Sequence, residues 1–329
     1  MSGSREQPPP PRSLLDLDDD ALREEIGKQL DPQAASRFAR TGTETLALFR
    51  QQLDIVKTYV QPLLDHIAKG ELAQADQLLQ QLKQQDDYLL QQVLNYKGKV
   101  TDPSGRTFTG ITVLQYALWA YDRFAWETLR PYMQPQDMLE QLKELEITGV
   151  DYSYQGQKYQ NQHHYDFQPL LDAYQRHVAY VNSPPVNWTE ADRRWVQEIG
   201  KNQKGVPWHV AAEYCSDQPF DDGSGQPPTF NQRPAFPAGS QGAQYYNYLT
   251  TSNRWEDFYS SSLGVSLSVC KGHGGGGVCA GRRTAACLGA VVRLDSAAIT
   301  ALCETRKSDL ETLRSTLQAE VAIQRQARA

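Results

Sequence analysis

The sequence predicts a mainly α-helical N-terminal half and an α+β C-terminal half with a small sheet. Apolar residues recur every three or four positions through residues 46–82, which is the spacing of one helix face. Helical spacing returns at residues 112–147 and 167–181. Residues 263–270 alternate and residues 288–294 run apolar, over lengths typical of strands.

Composition excludes several classes of protein. The chain has 329 residues, with 33 Lys and Arg against 39 Asp and Glu, a net charge of −6. That balance argues against a nucleic-acid partner, which needs a basic surface. The longest apolar run, residues 263–270, is far shorter than the roughly 20 residues of a membrane span. The polar start lacks the apolar core of a secretory signal. We therefore expect a cytoplasmic protein without integral membrane contact.

Four regions follow from the patterning. Residues 1–12 hold four consecutive prolines and read as a disordered tail. Residues 13–50 form a short helical module, and residues 51–148 a larger helical region. Residues 149–329 make the α+β domain, in which residues 216–242, rich in Gly, Pro, Asp and Ser, predict an unusually long loop.

Local signals predict where elements begin and end. Pro62 is expected to end or kink the long helix that precedes it, with Gln61 outside the helical region. The turn residues 102–105 predict a hairpin between residues 99–101 and 106–108. Residues 149–166 predict a loop or weak hairpin. Ser296 is expected to cap a closing helix that frays beyond about residue 320.

The short helical module resembles an F-box. Its order of residues matches that family's opening Leu, helix of Leu and Ile positions, Asp-Pro turn and Phe-Ala pair: Leu17, Leu22, Ile26, Leu30, Asp31-Pro32 and Phe38-Ala39. The family's opening proline is Asp18 here, one extra residue lies between the opening Leu and the turn, and Thr45 stands near the place of the usual late tryptophan.

The resemblance implies a three-helix module that docks on the Skp adaptor of cullin–RING ubiquitin ligases, while the rest of the chain holds an unidentified target protein. The module does no chemistry, and its apolar side chains lie against the adaptor. The residues that it assigns to this contact are Leu14, Leu15, Leu17, Leu22, Ile26, Leu30, Pro32 and Phe38. The alternative is that these residues form the core face of a helical cap on the following bundle.

Residues at about 62–131 resemble degenerate ankyrin repeats. Gly110, Thr112, Leu114 and Ala117, followed by Leu129, match the start and close of one repeat. Tyr121 stands where the repeat usually has Gly, and at most two irregular repeats are present, fewer than the roughly three that a solenoid needs. The combination resembles F-box and ankyrin effectors of intracellular bacteria. It implies secretion by a bacterium into the host cytosol as a second possible location.

Two features of the C-terminal half suggest an enzyme instead. Cys215 is a candidate thiol nucleophile, but His209 lies on another face of the same predicted helix, so His163 or His164 would have to activate the thiol. The glycine-rich residues 271–277 follow a predicted strand and offer backbone N–H groups to a phosphate, or form a flexible hairpin tip. We expect an adaptor rather than an enzyme; a plain protein-interaction module is the remaining alternative.

Cysteines and one histidine also cluster between residues 270 and 287. Cys270, His273, Cys279 and Cys287 are residue types that zinc prefers, but only one short ligand spacing is present. The five cysteines of the chain are odd in number and scattered, which is typical of reduced thiols. We therefore predict no metal, no cofactor and no catalytic residue.

Overall fold

The computed structural model describes residues 54–221, 226–240, 242–247, 254–271, 279–280 and 289–328. The predicted tail and the F-box-like module, with all eight residues assigned to the adaptor contact, lie outside the described residues. The chain divides into two compact units, Met1–Pro62 and Leu63–Ala329. The second unit contains nearly all of the structure described below.

Helices dominate the described residues, as the sequence predicts. The α-helices are α1 Gln61–Ala68, α2 Leu72–Gln85, α3 Asp87–Asn95, α4 Val113–Trp119, α5 Arg123–Leu129, α6 Pro135–Thr148, α7 Gln168–Val181, α8 Trp188–Arg194, α9 Lys201–Lys204, α10 Trp208–Cys215 and α11 Gly289–Arg328. A 3-10 turn follows α5, and π-helical turns precede α1 and α9. None of the described helices is both long and apolar enough to cross a membrane.

The strands form small antiparallel sheets. They are β1 Gly98–Thr101, β2 Thr107–Ile111, β3 Val150–Tyr154, β4 Gln157–Gln162, β5 Gln244–Asn247, β6 Arg254–Asp257, β7 Val269–Cys270 and β8 Cys279–Ala280. The first four make one sheet in chain order, and β5–β6 and β7–β8 are separate pairs. The β1–β2 hairpin falls where turn residues predict it, and β3–β4 is a hairpin within residues 149–166, where the sequence predicts a loop or weak hairpin.

The turn between β1 and β2 is fixed by a buried aspartate. The Asp102 carboxylate accepts hydrogen bonds from the Ser104 hydroxyl at 2.6 Å and from the Arg106 backbone N–H at 2.9 Å. The Arg106 guanidinium then lies 4.7 Å from the centre of the Tyr154 ring and 5.6 Å from that of Trp119. It also donates to the Gly205 carbonyl at 2.5 Å. These contacts join the four-stranded sheet to the end of α9.

The predicted strand at residues 288–294 is wrong, because α11 begins at Gly289 and runs for 40 residues. Buried residues recur at helical spacing along its start: Val291, Val292, Asp295, Ala298, Ile299 and Leu302. A short apolar run does not distinguish a strand from a buried helix, and the buried Asp295 hides the helical period. Ser296 is therefore inside the helix and not its cap. The predicted fraying is wrong as well, since α11 continues to Arg328 and buries Val321.

Two further predictions are corrected by local backbone geometry. Residues 264–266 form a turn, with Gly264 at φ +77°, and Leu263 and Leu267 on either side make an isolated bridge, so only Val269–Cys270 of the predicted strand is a strand. Pro62 does not end its helix. The π-helical turn Val56–Val60 leads directly into α1, and Gln61 is helical at φ −63°. Pro62 follows the π-helical turn directly, and this wider turn accommodates a residue that has no N–H to donate.

Candidate functional site

Few of the predicted chemical groups fall within the described residues. Of the glycine-rich segment 271–277, only Lys271 is described. Of the zinc candidates, Cys270 is described and buried, Cys279 is described in its backbone, and His273 and Cys287 lie outside. Among the residues that the structure describes, no three His, Cys, Asp or Glu side chains are grouped to hold a metal.

The structure argues against Cys215 as a nucleophile. The side chain is fully buried at the end of α10, and burial raises the pKa of its thiol well above the ordinary value. The two histidines proposed to activate it bond to backbone carbonyls instead, His163 to Leu145 and His164 to Leu118, each at 3.1 Å, and His209 bonds to the Ala120 carbonyl at 2.7 Å. A thiol kept protonated and away from solvent is not an active nucleophile.

An open groove of about 710 Å³ in the described part of the chain is a candidate binding site. We call it the Trp208 groove. Its apolar walls come from Trp208, Phe236, Tyr259 and Pro103. Aromatic side chains supply large contact areas at low entropic cost, which is why they anchor protein interfaces. The groove is therefore suited to bind a peptide segment of another protein.

The Trp208 ring is positioned by the end of α1. Pro207 has an extended ψ of 159°, and Trp208 follows it as the first residue of α10. Gly70 ends α1 at φ +67°, and its backbone packs directly under the indole: a Cβ there would lie 2.1 Å from the Trp208 Cε3 atom. Only glycine suits both the backbone conformation and the available space.

The long loop supplies the opposite wall. Arg233 donates a hydrogen bond to the Gly70 carbonyl at 2.8 Å, and the Asp217 N–H donates to the Ala235 carbonyl at 2.9 Å. These bonds hold the Phe236 ring with its centre 6.1 Å from that of Trp208, at an interplanar angle of 72°. The described part of the predicted loop 216–242 is thus irregular but anchored, and it forms part of a site.

The rim of the groove carries charges of both signs. Lys69 and Arg233 are its exposed cations, and Asp257 is an exposed carboxylate. Glu71 is half-buried and bonds His66 Nδ1 at 2.7 Å. Tyr259 fixes the far wall by donating from its hydroxyl to the Val206 carbonyl at 3.0 Å. A ligand would therefore meet aromatic rings in the centre and charged groups at the edges.

A buried polar centre lies on the other side of α10. Glu213 Oε1 lies 3.7 Å from Arg306 Nη2, and the Lys271 ammonium donates to the Glu213 carbonyl and to the Ser216 hydroxyl, both at 2.5 Å. The Lys271 N–H donates to the Asp295 carboxylate at 3.0 Å. Lys271 therefore ties the end of β7 to α10 and to α11.

Burial is the largest influence on the pKa values of Glu213, Lys271 and His209. It raises the pKa of Glu213 to about 7, against the opposing effect of Arg306 and Lys271. It lowers the pKa of Lys271 to about 8 and that of His209 to about 4. Glu213 Oε1 and His209 Nδ1 have no hydrogen-bond partner among the described residues. Since these groups hold three elements together in the interior, we assign the centre a structural role.

Comparison with known proteins assigns the chain to a family. It matches the CBUA0006 C-terminal domain over residues 169–317. It is also 33% identical over 251 residues to "Uncharacterized protein CBUA0006" of Coxiella burnetii (strain RSA 493 / Nine Mile phase I), and the match covers 69% of this chain and 68% of that protein. The chain belongs to the CBUA0006 family. No solved structure matches it.

The CBUA0006 C-terminal domain match contains seven of the fifteen residues that line the groove and all of the buried centre. Residues 169–317 include Trp208 and the loop with Phe236, together with Glu213, Lys271 and Arg306. Gly70 and the four-stranded sheet lie before the matched residues. The sequence analysis missed Trp208, because a single tryptophan after a proline does not indicate whether its ring faces a core or a groove.

Proposed function

We propose that the chain is an F-box-type adaptor, in which residues 13–50 dock on the Skp adaptor of a cullin–RING ubiquitin ligase and the following domain presents a target protein. The observation that carries the proposal is the ordered pattern Leu22, Ile26, Leu30, Pro32 and Phe38. Leu22, Ile26 and Leu30 recur every four residues, so a helix would bring them to one face. That face offers the apolar contact that an adaptor groove requires.

The Trp208 groove supports the second half of the proposal. A ligase adaptor needs a surface that binds its target without chemistry, and the groove offers half-buried aromatic rings with charged residues around them. We assign the target segment to this groove. The segment is extended, with an apolar or proline side chain that packs against Trp208 and Phe236.

The buried thiol of Cys215 weakens the enzyme alternative. A plain interaction module that uses the groove without a ligase is the competing proposal. We place the adaptor in the cytoplasm, or in a host cytosol after secretion by a bacterium. The resemblance to bacterial effectors and the relative in Coxiella burnetii support the second location.

The adaptor contact is tested by a pull-down with purified Skp adaptor. Leu22→Asp combined with Ile26→Asp places two carboxylates on the proposed apolar face, so we expect binding to be abolished. Lys28→Asp produces the same change in net charge on the opposite face of the predicted helix, and this variant should bind like the unmodified chain. Equal far-ultraviolet circular dichroism shows that each variant is folded.

Two outcomes contradict the proposal. If the double variant binds as the unmodified chain does, the apolar face is not the contact. If no form binds, residues 13–50 are a helical cap, and the interaction-module proposal takes precedence.

A further inference from the structure

Two cysteines occupy directly opposite positions on neighbouring strands. β7 pairs with β8 antiparallel, with Val269 opposite Ala280 and Cys270 opposite Cys279. Opposed residues of an antiparallel pair have Cα atoms about 4.5 Å or about 5.5 Å apart, depending on the hydrogen-bonding site. Both separations fall within the roughly 4.4–6.8 Å that a disulfide spans. The backbone register therefore meets the first requirement for a bond between these residues.

The β7 strand is held rigidly on both sides of Cys270. Before it, the Gln203 amide accepts from the Val269 N–H at 2.9 Å and donates to the Val269 carbonyl at 2.6 Å. After it, the Lys271 N–H donates to Asp295 at 3.0 Å. All of these groups are buried. These hydrogen bonds fix the backbone on both sides of Cys270, and β8 pairs with this fixed strand.

We propose that Cys270 and Cys279 are a redox-sensitive pair that forms a reversible disulfide. The oxidant is a low-molecular-weight disulfide such as oxidised glutathione. Since Cys270 is buried, the Cys279 thiolate makes the first attack on a glutathione sulfur, which forms a mixed disulfide and releases one glutathione thiolate. The second cysteine thiolate attacks the protein sulfur of that mixed disulfide and releases the other. Two thiols lose their protons to solvent, and one disulfide of glutathione becomes two thiols.

The bond would close residues 271–278 into a ring. The ring begins at Lys271, whose ammonium bonds the end of α10. A disulfide would therefore connect β8 covalently to Cys270. The next residue, Lys271, belongs to the buried polar centre. Cys215 and Cys303 are free and buried, and burial raises the pKa of both thiols. Both lie in helices, Cys215 in α10 and Cys303 in α11, so neither shares the strand register that places Cys270 opposite Cys279.

The position of Lys271 makes the bond easy to map. Trypsin cleaves after Arg254, Lys271 and Arg282, so Cys270 and Cys279 fall in the adjacent peptides 255–271 and 272–282. The 329-residue chain is equilibrated natively with oxidised glutathione, its remaining thiols are alkylated in denaturant, and the digest is analysed by mass spectrometry. We expect the two peptides to be joined, and to separate after reduction.

Variants distinguish this pair from other thiols. Cys270→Ser and Cys279→Ser should each abolish the joined peptides, while Cys303→Ser and Cys287→Ser should leave them unchanged. The proposal is overturned if both peptides remain alkylated after oxidation, or if either is joined to the peptide that contains Cys287. It is also overturned if the native chain contains stoichiometric zinc that both Cys270→Ser and Cys279→Ser remove, since the pair then binds a metal.

Discussion

Gly70 connects backbone conformation to the proposed binding groove. Its φ of +67° alone would cost an alanine about 1–2 kcal/mol. The added Cβ would also overlap the Trp208 ring, which has to move. We predict that Gly70→Ala lowers the free energy of unfolding by about 3 kcal/mol and shifts the tryptophan fluorescence. Urea unfolding followed by fluorescence measures both.

Gly110 provides a matched control for this prediction. Its φ is +71°, nearly that of Gly70, but a Cβ there would meet nothing within 4 Å. Gly110→Ala should therefore cost only the conformational part, about 1 kcal/mol, and leave the fluorescence unchanged. Equal losses in the two variants would mean that Trp208 does not pack on Gly70 as described.

Glu213 makes stability depend on pH. Burial raises its pKa from 4.5 to about 7 in the folded chain, so between these values the folded state holds a proton that the unfolded state has lost. This contribution is present in full below pH 4.5 and is lost as the pH rises through 7. Glu213→Gln removes it. Relative to the unmodified chain, the variant should gain about 2 kcal/mol between about pH 5 and pH 7.5.

The comparison of two chains is needed because His209 acts in the opposite direction. Its pKa is lowered by burial from 6.5 to about 4, so it destabilises the folded state as the pH falls below 6.5. Both chains share this effect, so it cancels in their difference, which reports Glu213 together with the neighbouring Lys271, whose pKa Glu213 raises. A pH-independent difference in unfolding free energy between them would refute the assignment.

At the scale of elements, one glutamine links a helix to a strand. Gln203 on α9 pairs with both backbone groups of Val269, in the manner of a neighbouring strand. Gln203→Ala leaves a buried N–H and a buried carbonyl without partners, and each costs about 1–3 kcal/mol. We predict a loss of about 3 kcal/mol in urea unfolding and faster hydrogen exchange at the Val269 amide.

Gln197 is the control for this element. It is exposed in the π-helical turn before α9, so Gln197→Ala should change stability by less than about 0.5 kcal/mol. If Gln203→Ala behaves in the same way, the strand is held by other contacts.

The elements also show which parts of the fold can be predicted from the sequence. Periodicity and turn residues predict α4 to α7 and the β1–β2 hairpin closely, since the spacing of apolar residues and the turn residues are local signals. The start of α11 is not predicted, because its apolar run is short and its buried Asp295 accepts a hydrogen bond from Lys271, which is distant in the sequence. The π-helical turn before Pro62 is not predicted either, since a proline by itself predicts that the helix ends or kinks.

At the scale of the whole molecule, the Trp208 groove is assembled from distant segments. Residues 69–74, 101–103, 208, 233–236, 242–243 and 257–259 form its walls, and no local pattern relates them. The sequence analysis therefore predicts a long loop at 216–242 but not its contact with Trp208. The Cys–His alternative fails for the same reason, because burial of Cys215 depends on packing far along the chain.

The central claim is that residues 13–50 bind the Skp adaptor. The most direct measurement is co-purification of the 329-residue chain with a eukaryotic Skp adaptor–cullin complex. It is run beside a chain that lacks residues 1–50 and whose circular dichroism spectrum shows that the remaining domain is folded. The account predicts that the 329-residue chain co-purifies with the complex and that the shortened chain does not. Equal recovery of both chains, or of neither, would contradict it.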